Sequence, residues 1–236
     1  METSNDDTES IVREYAAREP RIRVFTGPRS GSPSVAHNVC TDEGRGEYMI
    51  CLDGDDTIAE GSLQRLHDKI ASRPGADIYL CAIRQMDELA DCKETIRDNY
   101  PSDFSDELDG VDATIMTYRG GRSRCPMRQL SIYSLAYLRN AALKCVPGLR
   151  YEDSEFTLRA LYQARCVIPL HEAFYIYRKR AGSITTDAKA YVSSLYSFAA
   201  VFRSHFEFSA KVSAECSFKP ELSRLWAKAW LEKNIA

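Results

Sequence analysis

A chain of 236 residues, 44% of them hydrophobic, is long enough to bury one sizeable core with an appendage. Its net charge of −3 comes from 31 basic and 34 acidic residues mixed along the sequence, which argues against a nucleic-acid-binding protein. No apolar run approaches the ~20 residues of a membrane span, the first twenty residues are polar and acidic, unlike a signal peptide, and no two of the eight cysteines form a CxxC pair, so a reducing, cytoplasmic setting is expected.

Residues 10–18 carry Ile11, Val12, Tyr15 and Ala16 at helical spacing, with Ser10 placed to cap them and Pro20 just beyond their end. Residues 22–25 read as a short strand. A glycine- and serine-rich loop, 27–33, then leads into a helix over 34–43. Residues 48–52 are apolar and short, as in a strand covered on both faces, and they end in Asp53-Gly54-Asp55-Asp56.

A buried strand that ends in acid is a place to hold a cation. Asp53 and Asp55 lie two apart, on one side of an extended chain, and Gly54 between them lets a phosphate or another backbone approach. Convergent carboxylates repel unless something positive sits between them, and hard oxygen ligands suit Mg²⁺ or Mn²⁺. Asp56 is expected to cap the following helix.

That helix spans 59–72, with Leu63, Leu66 and Ile70 on its inner face, and 77–83 is the next strand. The alternation of helix and strand to this point predicts an α/β fold with a mainly parallel sheet. Residues 87–126 loosen into a polar stretch with one weak helix at 111–118. The arginines at 119, 122, 124 and 128 either close over a ligand or belong to a solvated loop. Regularity returns with a strand at 129–135, a helix at 136–145, a turn at Pro147-Gly148, a helix at 153–164 and short strands at 166–169 and 173–177. The tail from about 188 reads as helical, with Trp226 and Trp230 one turn apart.

Four ordered motifs carry a resemblance. Gly31-Ser32-Pro33-Ser34-Val35-Ala36-His37-Asn38, the stretch from Gly46 to Asp56, Tyr151-Glu152-Asp153-Ser154-Glu155-Phe156, and Tyr177-Arg178-Lys179-Arg180 running on to Thr185 together resemble family 2 glycosyltransferases. The resemblance covers residues 10–186. It implies a GT-A fold, a nucleotide-diphosphate sugar donor, a divalent metal (Mn²⁺ or Mg²⁺) at Asp53 and Asp55, and inversion at the anomeric carbon. Asp153 matches the family's catalytic aspartate and Arg178 and Arg180 are placed to grip phosphate. His37 stands where the family usually has arginine, and a neutral imidazole offers fewer donors to the nucleotide.

The resemblance also implies that the family's opening strand-helix-strand is absent, roughly 30–40 residues by mean element lengths, which would leave the strand at 22–25 on an open edge. Residues 1–186 are expected to form the GT-A domain, and 187–236 a helical tail packed on it. The expected partners are the sugar donor and a saccharide or lipid-linked acceptor, with peripheral attachment at the inner face of a membrane and association of copies through open sheet edges as further expectations. Two alternatives stand beside this one. Asp53-Gly54-Asp55-Asp56-Thr57 also fits a haloacid dehalogenase-like phosphatase with Asp53 as nucleophile, and the chain could be a catalytically silent remnant; an EF-hand fails because Ile58 and Gln64 stand where glycine and a bidentate acid are needed.

Overall fold

The computed structural model describes residues 6–28, 32–88, 90, 92–97, 100, 106–119, 127–180 and 195–215. The strands are β1 (Tyr48–Ile50), β2 (Thr57–Ile58), β3 (Ile78–Asp87), β4 (Lys93–Arg97), β5 (Ser131–Ser134) and β6 (Val167–Lys179). The helices are α1 (Thr8–Arg18), α2 (Ser34–Glu43), α3 (Ser62–Ser72), α4 (Gly110–Arg119), α5 (Leu135–Asn140), α6 (Glu152–Gln163) and α7 (Leu195–Glu215).

The strands form one sheet in the order β1-β5-β3-β6-β2, with β4 paired to the far half of β3. The α/β class holds, with helices flanking the sheet, but the sheet is mixed rather than mainly parallel. Only β3 and β6 pair in parallel among the described ladders; β1–β5, β3–β5, β3–β4 and β2–β6 are antiparallel. Because β1 and β3 both run opposite to β5, they run parallel to each other, as a crossover through α3 requires. The helix-strand rhythm therefore gave the relative direction of β1 and β3 correctly. It could not show that β5 slots between β1 and β3.

β3 is the centre of the core, with residues 78–83 all buried. Its side chains alternate between two clusters, as a period of two demands. Ile78 and Leu80 join Tyr133, Phe156 and Leu161 on one face, while Tyr79, Cys81 and Ile83 join Leu66, Phe174 and Tyr175 under α3 on the other. On the first face α4 crosses α6 at Gly110, whose amide donates to the Ala164 carbonyl at 2.9 Å. A Cβ there would strike the carbonyls of Leu161 and Ala164, so the closest approach of the two helices needs a residue without one.

β6 replaces the two short strands expected at 166–169 and 173–177. His171 takes a left-handed φ of 50° and the register with β3 shifts between Leu80 and Ala82, yet the strand continues. The Tyr100 hydroxyl fills the gap: it donates to the Leu80 carbonyl at 3.1 Å and accepts from the His171 amide at 2.8 Å. A side chain from a distant segment thus completes a broken ladder, which no periodicity could reveal.

Several local expectations need correction. β1 is a three-residue edge strand, not a buried central one, and Leu52 beyond it is exposed. Residues 22–26 are in no ladder; Arg23 instead pairs with Glu43 and lies 4.9 Å over the Phe25 ring. Asp7, not Ser10, occupies the N-cap of α1, a helix with no buried residue. Leu63 points outward, so α3 presents Leu66 to the core. The strand expected at 129–135 is shortened by a 3₁₀ turn over Arg128–Leu130, α5 ends at Asn140, and β4 arises within the stretch read as loop. α7 packs on α6 through the Tyr162 and Phe208 rings, 5.4 Å apart and edge to face, and through a Ser204 hydroxyl donating to Glu155 at 2.8 Å. Trp226 and Trp230 lie outside the described residues.

Candidate active site

Asp53 through Asp56 form a tight turn closed by the Asp56 amide donating to the Asp53 carbonyl at 3.1 Å. The turn is fastened to the end of β6. Asp56, which is buried, accepts from the Tyr175 hydroxyl at 2.5 Å and from the Arg178 amide at 2.9 Å, and the Asp53 amide donates back to the Tyr175 oxygen at 3.3 Å. Asp56 is therefore no helix cap; α3 begins six residues later behind a left-handed Gly61. With Asp56 committed inward, Asp53 and Asp55 are the two acids left to face a ligand. Gly54 between them opens on space, with nothing within 4 Å of where its Cβ would stand.

Asp53 is half-buried and accepts from the Gln129 side-chain amide at 2.7 Å. Burial pushes its carboxyl above the usual carboxylate range, and the charges of Asp56, Asp55 and Asp153 add to the rise while Gln129 opposes it. Burial likewise pushes Asp56 up. Asp55 is more open and pairs with Arg180, Nη2 to Oδ2 at 3.0 Å. Arg178 lies alongside, with Nε on Glu88 at 2.8 Å and Nη1 on the Asp55 carbonyl at 3.5 Å.

Asp153 enters from α6. The helix starts after Tyr151, held at φ 60°, and places Glu152, Asp153 and Glu155 in its first turn, where its dipole favours negative charge. Asp153 is half-buried and accepts from the Ser154 amide at 2.8 Å. Glu155 is structural: it is buried and grips Arg159 through both carboxylate oxygens at 2.7 and 2.8 Å. Glu152 is also buried, and burial with the neighbouring charge of Asp153 pushes its carboxyl up to about 8.

That shift has a definite sign. Folded, Glu152 keeps its proton up to about pH 8, whereas unfolded it releases the proton near its ordinary 4.5. Unfolding then releases a proton across this window, so the group's contribution to stability falls as pH rises from about 4.5 to about 8. Glu152→Gln is expected to remove that fall, gaining Tm over the wild type at pH 8 relative to pH 5. Melting curves that stay parallel at both pH values would refute it.

His37 sits on α2, tied into place because Asn38 exchanges two hydrogen bonds with the backbone of Cys145, at 2.9 and 2.8 Å. Burial, helped by the Arg128 cation, holds the imidazole down at about 4, so it is neutral at physiological pH, and its Nδ1 is buried without a hydrogen-bond partner.

Sequence reasoning missed three residues that shape this site. Arg128 is fully buried, so neither reading of that arginine group fits it. Its Nε lies 3.2 Å from the Cys51 sulfur and Nη1 2.7 Å from the Cys145 sulfur, with the guanidinium 4.0 Å over the Phe156 ring. It thus joins the end of β1, the approach to α6 and α6 itself. Gln129 and Tyr175 are the others. The one signal for Arg128 was its place directly before an apolar strand, away from the glycine-rich arginine run.

Among the described residues no group of three or more His, Cys, Asp or Glu side chains is gathered as a ready-made metal cage. Two adjacent carboxylates still fit Mg²⁺ or Mn²⁺ chemistry, because such ions are held by one or two protein carboxylates with substrate phosphates and water completing the shell. The repulsion that adds to the burial-driven rise of Asp53 is the electrostatic condition a cation would relieve.

A family model described as glycosyl transferase family 2 matches residues 2–146. The chain is 28% identical over 186 residues to the uncharacterized glycosyltransferase EpsJ of Bacillus subtilis, covering 76% of this chain and 51% of EpsJ. It is 26% identical over 188 residues to the succinoglycan biosynthesis protein ExoO of Rhizobium meliloti, covering 77% of this chain and 51% of ExoO. The chain thus spans about half the length of these two curated relatives. Among solved structures, S. aureus TarS 1-349 in complex with UDP-GlcNAc superposes with a TM-score of 0.63 at 20% identity, covering 96% of this chain and 68% of that one.

Proposed function

Because the chain belongs to glycosyl transferase family 2 and has the GT-A fold, we propose that it transfers a sugar from a nucleotide-diphosphate donor to an acceptor hydroxyl with inversion, in the synthesis of a cell-surface polysaccharide. The observation that carries this reading is the meeting of acids from two separate elements. Asp53, on the turn after β1 with Asp55, lies close enough to Asp153 on α6 for that charge to add to the rise that burial gives Asp53.

Each group has a role. Asp53 and Asp55 would hold a divalent cation, Mn²⁺ or Mg²⁺, which when bound would neutralise the departing diphosphate. Arg178 and Arg180, at the end of β6, offer guanidinium donors to the phosphates. Asp153 accepts the proton of the acceptor hydroxyl as its oxygen attacks the anomeric carbon from the face opposite the diphosphate. His37, neutral, offers at most one donor toward the nucleotide. Asp56 and Tyr175 hold the turn in place.

The donor is supported by the UDP-GlcNAc and UDP complexes of TarS, and the polysaccharide role by the name of ExoO. The acceptor is a saccharide or a lipid-linked saccharide met at the inner face of a membrane. No described helix is long and apolar enough to cross one. The phosphatase alternative has no support in a chain of this family.

Nucleotide binding tests the reading. UDP is expected to bind in Mn²⁺ and to bind at least tenfold more weakly in EDTA, and Asp55→Asn is expected to abolish the difference. Calorimetry that finds UDP affinity unchanged by EDTA would overturn the metal assignment.

A further inference from the structure

Resting on that reading of the site, we propose that Arg180 is the resident counter-ion of Asp55, holding the cation's place until the donor arrives and then passing to the donor's diphosphate. The same side chain opposes the metal alone and assists the metal with its nucleotide.

The geometry singles out Arg180 from its neighbours. Arg178 makes no contact with the Asp55 carboxylate: its backbone amide is on Asp56, its Nε on Glu88 and its Nη1 3.5 Å from the Asp55 backbone carbonyl. Lys179 reaches Asp87 at 2.9 Å. Arg180 alone of the three places its guanidinium on a side-chain carboxylate of the turn, 3.0 Å from Asp55 Oδ2. Both partners are about half exposed, at 50% and 45%. A pair so exposed is weakly held and exchanges readily, because water competes for both ends.

Electrostatics supplies the reason for a placeholder. Asp53, Asp55 and Asp56 fall within four residues, and Asp153 adds a further charge from α6. Without a cation this cluster repels itself, and Arg180 relieves the most open member. A divalent ion binding at Asp55 must break that pair and gains no phosphate in return when it comes alone. When it comes with a nucleoside diphosphate, Arg180 leaves a carboxylate for a phosphate, metal takes the carboxylate, and no charge is left without a partner. Metal and nucleotide are then coupled through one side chain.

Calorimetry on the 236-residue chain separates the two signs. Arg180→Ala is expected to bind Mn²⁺ alone about two- to fivefold more tightly, the size of an exposed ion pair removed as a competitor. It is expected to bind UDP in saturating Mn²⁺ roughly tenfold more weakly, the size of a charge-assisted hydrogen bond lost. Lys179→Ala, which removes the same charge one residue away, should change neither by more than about twofold. The exchange is overturned if Arg180→Ala leaves Mn²⁺ affinity unchanged or lower. It is equally overturned if Lys179→Ala tightens Mn²⁺ to the same degree, since bulk charge alone would then account for the effect. If neither protein binds Mn²⁺ with or without UDP, the metal reading of Asp53 and Asp55 falls, and this inference with it.

Discussion

Asp153→Asn is expected to lower sugar transfer by roughly 10²–10⁴-fold while changing donor affinity by no more than about twofold, because losing a general base removes a proton acceptor needed in the transition state and not in the bound ground state. Asparagine keeps the shape of the side chain and can still accept from the Ser154 amide, now 2.8 Å from Asp153, so the start of α6 should survive. It also removes one of the charges that raise Asp53, which should leave the metal-binding acids easier to ionise. Affinity for UDP in Mn²⁺ is thus expected to hold or improve slightly as turnover collapses. Parallel losses of binding and turnover would assign Asp153 a structural role.

The largest effect on stability is expected at Phe156. The ring is fully buried, meets Tyr133 edge to face at 5.6 Å, and carries the Arg128 guanidinium 4.0 Å above it. Phe156→Ala should cost ~3–5 kcal/mol, of which cavity formation is a part. It would also remove the aromatic face beneath a buried cation whose close hydrogen-bond partners are two thiols. Burial keeps those thiols protonated, Cys145 up to about 12, so they do not neutralise Arg128. Against a typical net stability of ~5–15 kcal/mol the variant should be marginal, and denaturant melts should show it. A change below about 1 kcal/mol would mean that the helix and the guanidinium are anchored elsewhere.

Much of this was legible before any coordinates. α2 spans the residues the sequence assigns to it, and α3, α4 and α6 lie close to theirs, because each has apolar residues at helical spacing and all but α6 are bounded by glycine, proline or serine. The acids of the turn could be named because they directly follow an apolar run, and Asp153 because it matches the catalytic aspartate of the family that the motifs resemble. Hidden from the sequence was everything that depends on distant pairing. Gln129 matters because it is opposite Asp53, Tyr175 because β2 pairs with β6 beside the turn, and Tyr100 because it fills a gap seventy-one residues from its partner His171. Arg128 was the hardest, since a buried arginine whose hydrogen-bond partners among the described residues are two thiols breaks the rule that places such residues at the surface. Asp56 was misassigned for a related reason. A local role as a cap was visible in the sequence, and its partners 119 and 122 residues away were not.

The fastening of Asp56 to Tyr175 and Arg178 also bears on the thermodynamics of recognition. A free loop of four residues would surrender about 1–2 kcal/mol of backbone entropy per residue when a ligand ordered it. Here that ordering has already occurred during folding, with the turn and the end of β6 made into one body by three hydrogen bonds. The acids on one side and the arginines on the other therefore stand at a separation fixed by backbone, and only the last few side-chain torsions remain to be frozen by an arriving diphosphate. Affinity gained in this way depends little on how many contacts the donor makes and strongly on how rigidly they are presented.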